Sequence, residues 1–466
     1  MSEELTWMPA WQMREMISKR EVSPVEVTGH FLGRIEQYDG KLKSFAHVDA
    51  GGARAQAKRA EKAVLDGEDL GLLHGIPVSL KGHFYVKGMP FFDMGTLQNL
   101  PSAWRDEVQV ERLRKAGAII FGLNTLMGSG GDPAKAPTDP GPRYNWDVEA
   151  RSAWDQTRVP GWSSSGTATA TVARLVPLGL GSDGGGSTRL PAAYSGLVGV
   201  VATPGRIPWI HPAAPTIELT ASTGPMCRHV MDAALMTQAM AGFDGRDVFS
   251  LRDEPDDYLA TINQDIDGMR FAWSDDLGYA SMYALEESPR VIAQIRESAF
   301  RFRELGVTVE PTSERFDDFF PGFMMMNRVF GSGGRGLGEK ATDQEYWESM
   351  ESRKRNIDVL DRIFAHHDVL LTPTSQLLAR TVEDWDAAWT GADGRQYPHG
   401  TFAGNYVSHV QLFNWLAVPA FSIPAGFVDG LPVGLQMIGR PGSDAKMFRI
   451  AQAFQRAFWN DERPSI

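Results

Sequence analysis

The sequence predicts an α/β protein with helices packed on a sheet. Two observations carry this. Stripes of apolar residues at helical spacing stop at a glycine and run straight into short apolar, strand-like segments. The chain is also long enough, at 466 residues with 42% hydrophobic side chains, to bury a large core.

Ser23-Pro24-Val25-Glu26 has the form of a helix start, with a serine cap, proline in the first turn and glutamate three residues after the cap. Val27, Phe31 and Ile35 then repeat at i+4 and give one apolar face, and Asp39-Gly40 is expected to stop the helix. A second helix is expected from about Asp106, with Val110 and Leu113 inward and Gly117 at its end. A strand follows at Ala118–Phe121. Ser288-Pro289 opens a third, with Val291, Ile295, Ala299, Phe302 and Leu305 inward, Gly306 as its stop and Val307–Val309 as the next strand. Residues 129–166 lack such periodicity and are rich in Gly, Pro, Ser and Asp. Long irregular segments inside compact proteins are commonly functional. No internal repeat or linker divides the chain.

Composition excludes several classes. The formal net charge is −12 and no Lys/Arg run is present, which argues against nucleic acid or an anionic membrane as partner. Cys227 is the one cysteine, so no internal disulfide can form, and it lies outside the motifs described below. The ten histidines are scattered, with His366-His367 the one adjacent pair and no His-Glu-x-x-His, so no metal site is expected. The acidic opening Met-Ser-Glu-Glu-Leu-Thr does not resemble a signal peptide. No stretch approaches the ~18 apolar residues of a spanning helix. A soluble cytoplasmic protein is the expectation.

Three segments carry candidate chemistry. In Val176–Pro191 an apolar strand-like run ends in a glycine turn that presents Ser187. Three glycines before a serine can point several N–H groups at one spot, as an oxyanion hole requires. Read alone, the segment is equally a glycine-rich turn. Gly161-Trp162-Ser163-Ser164-Ser165-Gly166 is a serine-rich loop, followed by a small-residue helix from Thr167 to Ala173. Gly75-Ile-Pro-Val-Ser-Leu-Lys81 ends an apolar strand in a lysine. A surface lysine is the ordinary reading, but burial disfavours the charged form and leaves an amine able to act as a base. Gly179-x-Gly181-x-x-Gly184 and Gly331-x-Gly333-x-x-Gly336 match a dinucleotide fingerprint without its crossover helix and acidic residue, so both are read as coincidence.

Taken together, the three segments resemble the amidase signature family. That family carries Gly-Gly-Ser-Ser-Gly-Gly and, downstream, Gly-Thr-Asp-x-Gly-Gly-Ser-x-Arg-x-Pro. Here these read Gly161–Gly166 and Gly181-Ser-Asp-Gly-Gly-Gly-Ser-Thr-Arg-Leu-Pro191, with Ser163 and Ser187 at the family's separation of 24 positions. Ile76-Pro-Val-Ser-Leu-Lys81 matches the upstream lysine motif. Thr223–Arg228, Asp368–Thr374, Pro419–Gly426 and Gly430–Gly439 extend the likeness along nearly the whole chain.

The resemblance implies a central mixed β-sheet covered by helices on both faces, as a single domain over residues 1–466 with a signature core at about 65–235. It implies a serine amidohydrolase that cleaves an amide, anilide or hydrazide bond without a cofactor. Ser187 would be the nucleophile, Ser163, following a cis peptide, the proton relay, and Lys81 the base, required neutral. Backbone N–H groups of Gly184, Gly185, Gly186 and Ser187 would hold the oxyanion. Asp183 and Arg189 would brace the loop as an ion pair.

This chain departs from the pattern in places. The family often has Asp after the lysine, whereas here Gly82 and His83 follow. Trp162 replaces a glycine of the serine loop, either shaping the acyl pocket or packing in the core. Phe319–Phe330, with three methionines, lines an apolar pocket or belongs to ordinary core. The Lys-Gly-His continuation favours a stand-alone amidase, acting on a small-molecule amide-type substrate, over the glutaminase-type component of a transamidation complex, whose lysine motif commonly continues Lys-Asp-Asn. A silent binding protein on the same fold is the third reading. A homodimer is carried as the working assembly.

Overall fold

The computed structural model describes residues 2–90, 102–126, 150–210, 221–322, 325, 342–385, 388–390, 394, 396–397 and 404–466. The first strands are β1 (Phe45–Val48), β2 (Pro77–Lys81), β3 (Ile119–Asn124), β4 (Leu178–Asp183), β5 (Val198–Val201) and β6 (Ser222–Cys227). They continue with β7 (Arg270–Trp273), β8 (Thr308–Pro311), β9 (Val369–Pro373), β10 (Trp389–Thr390), β11 (Gln396–Tyr397), β12 (Ala420–Val428) and β13 (Leu431–Ile438).

Among the described residues, eleven strands form one mixed sheet in the order β1-β3-β2-β4-β6-β5-β12-β13-β9-β7-β8. β2 lies between β3 and β4, parallel to both, and β4 pairs antiparallel with β6. At the other end, β7 runs parallel to β8 and β9. β10 and β11 form a separate antiparallel pair.

Strand side chains alternate between faces, and here both faces are apolar. On β7, Phe271 joins one buried cluster and Ala272 the other. Leu371 and Leu370 on β9, and Met437 and Ile438 on β13, divide the same way. Helices cover the sheet accordingly, and the expected central mixed sheet flanked by helices is observed.

The first helix prediction needs one correction. Ser23 forms the full capping box with Glu26, but the helix runs Pro24–Leu42 through Gly40 and ends at Lys43, which is left-handed. Interior glycine costs only about 1 kcal/mol, and the tertiary contacts of Ile35 and Leu42 outweigh it. The second helix is Val108–Lys115, with the next strand at Ile119–Asn124. The third is Ser288–Phe300, continued by a 3₁₀ turn to Leu305 before a left-handed Gly306. The small-residue helix is Ser165–Val172, buried at every position. Of the irregular segment, 127–149 lies outside the described residues, as does the Gly331–Gly336 motif.

At the N-terminal side, Asp232 of the helix Val230–Met240 accepts the N–H groups of Ala10 and Trp11, each at 2.9 Å. The carboxylate thereby caps a helix more than 200 residues away in the chain. Among the described residues, no helix is long and apolar enough to cross a membrane.

Candidate active site

Lys81 is the last residue of β2, a strand buried along its length, and is itself 1% exposed. The parallel pairing of Leu80 with Leu180 sets Ser182 of β4 beside it. Lys81 Nζ donates to Ser163 Oγ at 2.6 Å and to Ser182 Oγ at 2.9 Å. The lysine therefore points into the gap between the two serine-bearing loops, not to the surface.

Ser163 follows a cis peptide bond from Trp162, as the resemblance implies. Gly161 before it has φ +86°, and a Cβ there would lie 2.9 Å from Pro191 Cα, so only glycine lets this loop approach the next. Ser164 joins the loops. Its N–H donates to Ser187 O at 3.3 Å and its hydroxyl donates to Ser182 O at 3.3 Å.

Ser187 lies half-buried between β4 and the helix Arg189–Ser195. Its hydroxyl makes no hydrogen bond to Ser163 in this structure. The turn before Ser187 is built around Asp183, which is fully buried. Its carboxylate accepts from Gly186 N–H at 2.7 Å, Thr188 N–H at 3.0 Å and Arg189 N–H at 3.1 Å. It also takes two bonds from the Arg189 guanidinium, at 3.1 and 3.0 Å, and one from Asn414 Nδ2 at 2.8 Å. Burial opposes the ionised form, but the Arg189 charge and these donors hold the carboxyl well below its ordinary range.

Of the expected oxyanion donors, the Gly186 amide donates to Asp183 in this structure. Among the described residues, the amides of Gly184, Gly185 and Ser187 carry no backbone partner. Gly186 also serves the turn. Its φ is +108°, and a Cβ would meet Val410 Cγ2 at 2.4 Å.

The C-terminal half completes the site, and motif reading missed these residues. Arg189 Nη1 donates to Val410 O at 3.0 Å and to Gln436 Oε1 at 2.6 Å, and Nη2 donates to Asn414 Oδ1. Ser182 was missed as a lysine partner. The signal available was a hydroxyl residue beside Asp183 in the Gly-Ser-Asp motif.

Trp162 is buried in the second cluster, 4.5 Å from the Tyr406 ring and 5.3 Å from that of Trp385. Tyr406 donates its hydroxyl to Trp385 O at 2.7 Å, which fixes this wall. His83 is buried edge-on against Phe84, with Trp209 at 5.8 Å. Phe319 and Phe320 also pack in the second cluster. Met324 and Met326 lie outside the described residues. Cys227 is fully buried, and burial pushes its thiol pKa well up, the environment of an inert cysteine.

The Amidase family model matches residues 26–325 and 323–448. The chain belongs to the amidase family. It is an enzyme of that family by fold and by match along its length. Among curated relatives of this chain, the A component of the glutamyl-tRNA(Gln) amidotransferase of Thioalkalivibrio sulfidiphilus is 32% identical, covering 95% of this chain and 96% of that protein. The protein of the same name from Desulforudis audaxviator is 30% identical, covering 97% and 96%. Among solved structures, a bacterial aryl acylamidase of the amidase signature family superposes with a TM-score of 0.81 at 24% identity, over 97% of both chains. The 6-aminohexanoate cyclic dimer hydrolase complexed with substrate gives 0.81 at 22%, over 99% of both. The corresponding glutamyl-tRNA(Gln) amidotransferase component from Thermotoga maritima gives 0.74 at 24%, over 94% of both.

Proposed function

We propose that this chain is a stand-alone serine amidohydrolase that cleaves an amide, anilide or hydrazide bond through an acyl-enzyme on Ser187. The observation that carries the reading is the buried 2.6 Å hydrogen bond from Lys81 Nζ to Ser163 Oγ, in a loop that Ser164 ties to Ser187.

In the proposed cycle Lys81 starts as the neutral amine. Ser187 Oγ attacks the amide carbon and its proton passes to Ser163 Oγ while Ser163 gives its own to Lys81. The oxyanion is met by backbone amides of the glycine turn, of which those of Gly184, Gly185 and Ser187 carry no backbone partner. One such donor is worth about 10²–10³ in rate. The proton then returns through Ser163 to the departing nitrogen, and the C–N bond breaks. Water attacks the ester by the same relay in reverse, which releases the acid and restores Ser187. This is the role histidine plays in a Ser-His-Asp triad, carried by a serine and a lysine. The whole chain acts as one amidase domain.

The aromatic wall of Trp162, Trp385 and Tyr406 supports an apolar or aromatic group on the substrate. A second reading is favoured by the curated relatives, which are named as components of an amidotransferase. On that reading the acyl donor is glutamine and the ammonia passes to a partner.

One panel separates the two. Anilides, hydrazides and glutamine are each offered with hydroxylamine, which intercepts an acyl-enzyme as a hydroxamate. A stand-alone amidase turns over an apolar anilide or hydrazide and forms its hydroxamate with no other protein present. Turnover of glutamine in preference to every apolar amide overturns the stand-alone reading.

A further inference from the structure

Three side chains from elsewhere in the chain lie against the glycines before Ser187. A Cβ added at Gly184 would meet Ala221 Cβ at 3.6 Å, and one at Gly186 would meet Val410 Cγ2 at 2.4 Å. Both neighbours are methyl groups. At Gly185 the neighbour is a carboxamide. A Cβ there would lie 2.9 Å from Gln411 Nε2, 3.4 Å from its Cδ and 3.5 Å from its Cγ, so the Gln411 side chain is laid along this glycine.

Gln411 opens the helix Gln411–Trp415 and is 7% exposed. Its Oε1 is buried and has no hydrogen-bond partner among the described residues. Leaving a buried acceptor unmade is costly, and such a group calls for an explanation. The backbone around it is pinned. Val410 O accepts from Arg189 Nη1 at 3.0 Å, His409 O accepts from Gln436 Nε2 at 2.7 Å, and Asn414 Nδ2 donates to Asp183 Oδ1 at 2.8 Å. The same Asp183 carboxylate takes the Gly186 amide. One ion pair therefore shapes the glycine turn and holds Gln411 beside it.

A carboxamide carries an acceptor and a donor in one plane, and its terminal torsion is soft, so a half-turn exchanges the two ends without changing the shape of the group. Either end can thus stand at Gly185. In the proposed cycle the leaving nitrogen takes its proton from Ser163 and lies on the Lys81–Ser163 side of the turn. The acyl group extends to the other side, where Tyr406 brings the aromatic wall and Gln411 its carboxamide.

We propose that Gln411 is a specificity residue, whose side-chain oxygen accepts a hydrogen bond from a hydroxyl or N–H on the substrate atom next to the scissile carbonyl, on its acyl side. The proposal rests on the amidohydrolase reading, in which the glycine turn meets the oxyanion. The substrate class follows. It is an amide of an acid with an apolar or aromatic group for the wall and one hydrogen-bond donor beside the carbonyl. A bound acid group of this kind pairs the buried oxygen. The same acid without its donor covers that oxygen and leaves it unpaired. Sites built to hydrogen-bond a substrate hydroxyl or N–H reject the analogue that lacks it far more strongly than apolar pockets reject a missing methylene.

The test uses the full chain and two p-nitroanilides. One is that of phenylpropanoic acid. The other is that of phenyllactic acid, the same acid with a hydroxyl on the carbon next to the carbonyl, offered as each enantiomer. Wild type should prefer one enantiomer of the phenyllactic substrate over the phenylpropanoic one by about 10- to 100-fold in kcat/KM. Gln411→Met keeps the length of the side chain without its acceptor, so it should bring that ratio to within about threefold of one. A wild-type ratio near one, or an unchanged ratio in Gln411→Met, overturns the proposal and leaves the amidohydrolase reading intact. Wild type that labels at Ser187 with a fluorophosphonate but hydrolyses neither anilide overturns the proposal alone. Wild type that does neither overturns both.

Discussion

The two sides of the serine loop are built from opposite materials. On one side Lys81, Ser163, Ser164, Ser182 and Asp183 form a buried polar network in which nearly every contact is a hydrogen bond. On the other, Trp162, Trp385 and Tyr406 form a wall held mainly by ring packing. Trp162 and Ser163 are adjacent residues, so one peptide bond separates the two regimes. The difference teaches where each kind of change should register. Polar networks fail when one member is left unpaired, whereas apolar walls fail by losing volume.

The largest effect on folding should come from the polar side. Arg189→Met leaves Asp183 ionised, buried and short of its cation, and should cost about 3–5 kcal/mol of unfolding free energy. Adding Asp183→Asn should recover part of that loss, because no uncompensated charge remains. Paired denaturant titrations measure both. A recovery of zero would break the view that charge pairing, not packing volume, is what Arg189 contributes. The Asp183 carboxyl is held low, so its stabilisation is present above the ordinary carboxylate range and is lost as the pH falls through and below it.

An effect of comparable size at most is expected from the wall, reduced by whatever relaxation the apolar neighbours allow. Trp162→Gly restores the glycine of the family motif but empties the space beside Tyr406 and Trp385, at about 3–5 kcal/mol or less if the wall collapses inward. Lys81 and Ser163 keep their hydrogen bond, so KM for bulky apolar amides should change more than kcat for small ones. Equal loss of kcat for every substrate would instead mean that Trp162 sets the position of Ser163.

The smallest effect should be that of Cys227→Ala. The thiol is buried and outside the network, so activity should be unchanged and stability lower by about 1 kcal/mol. Thiol reagents should not modify the native protein. Inactivation by such a reagent would contradict this.

Legibility in the sequence followed the same division. The lysine, the serine loop and the glycine turn were each equivocal alone and were read as one site through their resemblance to a known family, and the structure brings the three together. The helix–glycine–strand rhythm gave an α/β fold, because the apolar stripe and the stopping glycine are written within a few residues of each other. What was not legible is long-range. Asn414, Gln436 and Val410 reach Arg189 from more than 200 residues downstream, and no periodicity marks a residue for a partner that distant. The bond from Gly186 to Asp183 has the same origin. A run of three glycines does not say which amide a neighbouring aspartate will claim. Gly40 failed as a helix stop because packing of flanking side chains overrode a modest local cost.

The central claim is that Ser187 is made nucleophilic through Ser163 and Lys81. Its most direct test is fluorophosphonate labelling of wild type, Lys81→Ala and Ser163→Ala at neutral pH, with the adduct mapped by mass spectrometry and folding checked by circular dichroism. The account predicts one adduct, on Ser187, formed at least about 10²-fold more slowly in both variants. An adduct on another residue, or wild-type labelling rates in either well-folded variant, would contradict it.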